Sequence, residues 1–158
     1  MADFRATYEL MNALRGQTEM VVGDRVDQVV QFVGTLTQAV NFHFGQGAGT
    51  RISTAVIISP VAEAGERITG SGLPLYTNFN IDFYILSRIN RESYSDGVGR
   101  LYDVKDALTW ELFDCERLSQ DARDCIASAT LVSSIPRILD DPNLIAWAVQ
   151  WQIKPRVT

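Results

Sequence analysis

The sequence predicts an α+β fold in one domain spanning residues 1–158, with a mainly antiparallel sheet of about four strands and helices packed on one face. Three observations carry this. From residue 51 onward, stretches 51–59, 75–88, 128–135 and 144–153 read as strands, two of them with clear period-two alternation. Residues 95–115 instead place apolar side chains at helical spacing. Between the last two strands, Asp140-Asp141-Pro142-Asn143 supplies turn chemistry for a hairpin. The chain divides into an N-terminal helical region, 1–50, and a strand-loop-strand-helix-hairpin core, 51–158. At 158 residues it is long enough for one real core and short for two.

In order, residues 3–15 form a first helix: Asp3 caps it, Phe4, Tyr8, Met11 and Leu14 recur at helical spacing, and Gly16 ends it. Residues 18–22 read as a short extended piece before Gly23. Asp24 then caps a second helix to residue 42, with Val26, Val29, Val30, Val33, Leu36 and Val40 on one face. Its β-branched content equally suits a strand. Gly45, Gly47 and Gly49 form a hinge.

The strand 51–59 ends at Pro60. Residues 61–74, polar and glycine-rich, read as a long loop carrying Glu63, Glu66 and Arg67. In 75–88, Leu75, Thr77, Phe79, Ile81, Phe83 and Ile85 face the core, while Tyr76, Asn78, Asn80, Asp82 and Tyr84 face water or a partner. After a polar bend comes the clearest helix. Its core stripe is Leu101, Val104, Leu108, Leu112 and Cys115, and on roughly the other side stand Tyr102, Trp110 and Phe113. Either the N-terminal helices or a neighbouring subunit cover that aromatic side. Residues 116–126 form a loop or short helical turn. Pro136 marks the strand 128–135 as an edge or bulge, and 144–153 places Ile145, Trp147, Val149, Trp151 and Ile153 on one face.

Composition narrows the function classes. With 46% hydrophobic and 21% charged residues the chain has a globular make-up, and no apolar run approaches the ~20 residues of a membrane span. The first residues lack a signal-peptide pattern, so an intracellular origin is expected. A net charge of −5, from 19 acids and 14 bases, argues against gripping nucleic acid through phosphates. It leaves open a surface that lets nucleic acid pass, and equally an ordinary acidic domain. Cys115 and Cys125 lack zinc-site spacing and are expected to be buried free thiols.

No catalytic or cofactor set emerges. His43, the sole histidine, reads as structural. The glycines at 45, 47 and 49 lack dinucleotide-fingerprint spacing and precede a strand, whereas a phosphate loop follows one. Glu116, Asp121 and Asp124 stand beside Arg117 and Arg123 and read as solvated ion pairs. The expectation is a non-enzyme without cofactor or metal.

Over about two thirds of the chain, the succession 52–58, 79–88, 101–113, 129–135 and 146–154 resembles the tail terminator proteins of long-tailed bacteriophages, the lambda-type minor tail protein U group. The second helix, 24–42, has no counterpart in that pattern. The resemblance implies a structural virion protein, present in host cytoplasm during assembly. Copies form a hexameric ring that caps the tail tube and joins the neck while DNA passes through the lumen unbound. The implied partners are copies of itself, the major tail tube protein and a neck or head-completion protein, with no membrane. A closed ring joins two different patches. The candidates are Tyr102, Trp110 and Phe113 on one side and Asn80, Asp82 and Tyr84 on the other. Glu63, Glu66 and Arg67 are candidates to reach the tube. Another head–tail joining or tail-completion protein remains open, as does a small monomeric enzyme or ligand-binding domain using the Asn80, Asp82 and Tyr84 face.

Overall fold

The computed structural model describes residues 5–44, 53–67, 74–89 and 94–156. In chain order the elements are α1 (Arg5–Val22), β1 (Gln28–Gln31), α2 (Leu36–Phe44), β2 (Thr54–Arg67), β3 (Pro74–Arg88), α3 (Tyr94–Trp110), α4 (Gln120–Cys125), β4 (Ile126–Arg137) and β5 (Leu144–Pro155). The strands form one sheet in the order β1-β2-β3-β5-β4. Three antiparallel pairings hold its centre, and β1 adds a parallel edge to β2. The α+β class and the final hairpin are as expected; the sheet is mixed and five-stranded among the described residues.

The helices occupy both faces. Leu10, Met11 and Leu14 of α1 and Leu101, Val104 and Leu108 of α3 join Ile81, Phe83, Ile85, Val149 and Ile153 in the larger core. On the opposite face Leu36, Ala39 and Phe44 of α2 cover Ala55, Ile57, Tyr84, Leu86 and Ala146. The expectation of helices on one face fails here because both sides of β2 are apolar. Val56 and Ile58 serve one core while Ala55 and Ile57 serve the other, as in a strand buried on both faces.

Three boundaries differ from the sequence reading. Helix α1 runs through Gly16 to Val22, because Leu10, Leu14, Gln17, Thr18, Val21 and Val22 form one continuous buried stripe. Two of its members are polar, which disguised it. The expected second helix is instead β1 followed by α2. Asp27 fixes the strand: one carboxylate oxygen accepts the Ser53 and Thr54 amides at 2.6 and 3.1 Å. Third, β2 continues past Pro60 through a bulge between Pro60 and Ala62. Among the described residues it has no strand on its outer side beyond Ile58, and the bulge sets Pro60 at an irregularity of the ladder, so a residue without N–H is accommodated there. The predicted loop 61–74 is thus largely a β-hairpin arm, with Glu63 opposite Phe79 and Glu66 opposite Tyr76. The glycine hinge at 45–49 lies outside the described residues.

Candidate subunit interface

Helix α3 lies on β3 and β5 by a closely fitted inner face. Gly97 is buried, and a Cβ there would stand 2.8 Å from the Arg88 carbonyl oxygen. Its own carbonyl accepts the Ser87 hydroxyl at 3.1 Å. The stripe then proceeds through Leu101, Val104, Ala107 and Leu108. The helix ends at Trp110, so Cys115 does not extend the stripe; Leu112 does enter the core, from the turn that follows.

The three aromatic residues assigned to the outer side part company. Phe113 packs edge-on against Trp151 with ring centroids 4.8 Å apart and joins the core margin. Tyr102, half exposed, meets Trp147 at 6.2 Å, and the Lys105 ammonium stands 4.9 Å from the Trp147 ring. Trp147 is held by its indole N–H donating to Ser134 Oγ at 2.8 Å. Trp110 is 76% exposed. The sequence pattern signalled an apolar outer side but missed that β5 supplies two tryptophans to cover most of it.

Asn80, Asp82 and Tyr84 lie on the face of β3 away from α3. Asp82, 8% exposed, accepts the Tyr84 hydroxyl at one oxygen and the Gln150 side-chain amide at the other, each at 2.8 Å. Both oxygens of this buried carboxylate are therefore engaged, as burial requires. Asp82 and Tyr84 thus do not face water or a partner as the alternation predicts, because α2 covers this side of the sheet and Tyr84 joins its core. Asn80 is half-buried on the same side. The tyrosine proton is held tightly: burial first, then the hydrogen bond to Asp82 and its charge, push Tyr84 up to about 12, against a smaller opposing pull from Arg137. The sign follows. Above pH ~10 the unfolded chain releases this proton while the folded one keeps it, so the contribution of Tyr84, complete below pH ~10, is lost as pH rises towards 12. Alkaline unfolding monitored by tryptophan fluorescence should show that loss over pH 10–12, and Tyr84→Phe should flatten it.

Glu63 is exposed on β2, and Glu66 and Arg67 follow on the same strand. All three belong to the paired arm, because their backbone groups find partners on β3 that sequence alone did not reveal.

His43 packs edge-on against Phe42 and Phe32, at centroid distances of 4.9 and 5.9 Å, and burial lowers its pKa. Both cysteines are free, but Cys115 is exposed and Cys125 half-buried, against the expectation of two buried thiols. Burial, then the charges of Glu9, Asp124 and Asp121, raise the Cys125 thiol pKa. A thiolate-selective reagent at pH 8 should modify Cys115 first, and Cys115→Ser should leave only a slow phase. Asp121 and Asp124 line a shallow cleft with Glu9 and Asn12; among the described residues no group of acids, cysteines or histidine has metal-site geometry. No described helix is long and apolar enough to cross a membrane.

No family model and no curated protein matches this chain. A solved structure described as "Virion of native gene transfer agent (GTA) particle" is similar to it at 12% identity, covering 97% of this chain and 98% of that one, with a TM-score of 0.49.

Proposed function

We propose that this chain is a structural protein of a phage-type virion, a tail terminator whose copies form a ring that caps the tail tube and joins it to the neck. The observation that carries the reading is Trp110, a large side chain left 76% exposed on α3, on the face of the sheet away from α2. Of the set on the other face, Asp82 and Tyr84 are buried within the chain, which leaves the half-buried Asn80 open to a neighbour. Exposed indoles are typical interface anchors, and a ring closes when such a patch meets a different patch on the next copy. The element order from β2 to the final hairpin, on which the resemblance rests, supports the same reading. The excess of acids over bases suits a lumen through which DNA slides without adhering. In our reading the arm, whose outer part 64–67 and 74–78 has no pairing with β5, is the element that reaches the tail tube.

Native mass spectrometry and negative-stain imaging of the purified chain test this directly. The expected result is a closed ring of about six subunits. A stable monomer at tens of micromolar, above all one retaining a small molecule, would overturn it in favour of a ligand-binding domain. Another head–tail joining protein would form a ring with a different neighbour, so cross-linking in assembled particles distinguishes that case.

A further inference from the structure

The two edges of the sheet are left open in different ways. On one side β1 pairs only with 55–58 of the fourteen-residue β2, so 59–67 have no strand outside them among the described residues. On the other side β4 runs for twelve residues against β5 and, among the described residues, has no outer strand. Natural proteins protect such edges with charges. Here 126–136 contain no charged residue, and Leu131, Val132 and Ile135 are exposed. The edge is suited to being covered.

We propose, building on the ring reading above, that the sheet continues from copy to copy: 126–130 of β4 in one subunit lie antiparallel along 62–66 of β2 in the next, beyond Pro60 and its bulge. Direction is the first argument. Neighbours related by a rotation axis along the strands keep the same strand sense. Through β3 and β5, β2 and β4 run in opposite senses, so their meeting is antiparallel.

Register is the second argument. Following the pairings across one sheet, Ser59 lies level with Asp82, Gln150 and Ser133, and Glu63 lies level with Phe79, Ile153 and Ala129. The uncovered part of β2 therefore sits at the height of the first two thirds of β4.

The neighbour's β1 begins just below, at the height of Ser134. At this level β4 shifts register between Leu131 and Ser133, and a bulge there bends the strand. The remainder of β4 contains Pro136, which has no N–H to offer a partner. Self-pairing of two β4 edges would leave the open stretch of β2 uncovered, whereas head-to-tail pairing covers both and closes a ring.

Two variants test this. In the first, 64–78 are replaced by Asn-Gly, which joins the opposed Glu63 and Phe79 as a two-residue hairpin and removes half of the β2 edge. In the second, Thr130→Lys and Val132→Lys place charges on exposed positions of β4. Each variant alone is expected to run as a monomer by light scattering, with circular dichroism matching the parent. Mixed one to one, they should give a heterodimer of twice the mass and nothing larger, since one intact β2 edge and one intact β4 edge remain. If either variant still forms rings, or the mixture stays monomeric, the β2–β4 contact is wrong although the ring reading stands. If the unaltered chain is itself monomeric, both fall.

Discussion

Replacing Gln17 by leucine is expected to destabilise the fold by about 3–5 kcal/mol, although the position would gain an apolar side chain of similar volume. Gln17 is fully buried in α1, and its amide bridges the connection that follows α3. Its Nε2 donates to the carbonyl oxygens of Leu112 and Arg117 at 2.9 and 3.1 Å, and its Oε1 accepts the Ser119 amide at 2.9 Å. Leucine would strand these three backbone groups at a cost of about 1–3 kcal/mol each, part of it recovered where water reaches Arg117. Urea unfolding should show a lower midpoint with an unchanged slope, and a melting temperature lower by about 10 °C. The exposed Gln120→Leu, on α4, should change stability by no more than ~0.5 kcal/mol. Equal effects at the two positions would remove the bridging role.

Trp110→Asp should do the opposite: leave the fold intact and abolish assembly. An indole 76% exposed contributes little to the monomer, so unfolding should shift by no more than ~0.5 kcal/mol. At the centre of an interface, losing a tryptophan typically costs 2 kcal/mol or more, about thirty-fold in affinity per contact. A ring repeats the contact at every subunit, so the expected outcome by light scattering is monomer at concentrations where the parent chain is a ring. Phe113→Asp provides the contrast. It breaks the packing on Trp151 and should unfold the chain at lower denaturant, because that ring belongs to the core margin. Unaltered assembly of Trp110→Asp would withdraw Trp110 from the interface.

The legibility of the fold followed the kind of interaction involved. Strand β3 and the hairpin β4–β5 were readable because alternation and turn chemistry are local properties of a few residues. The core stripe of α3 was readable for the same reason. Strand β1 was not, since its valines suit either state and the decision rests with Asp27 binding the amides of Ser53 and Thr54, twenty-six and twenty-seven residues away. The arm was misread because its polarity and glycines look like a loop until β3 offers its backbone groups partners. Of the candidate interface residues, the sequence placed Tyr102, Trp110 and Phe113 outside the helix stripe. Only the positions of Trp147 and Trp151 on β5 separated covered rings from the exposed one.

By itself, then, the sequence determined the class of fold, the final hairpin and a helix with one face committed to the core, because periodicity is written residue by residue. Tertiary structure decided that α1 extends through Gln17 and Thr18, that the sheet is covered on both faces, and that among the described residues β2 and β4 each retain an edge without a strand outside it. The physical reason is that a buried polar side chain, a parallel strand and an open edge are each defined by a partner distant in the chain or absent from it, and local pattern carries no record of that partner.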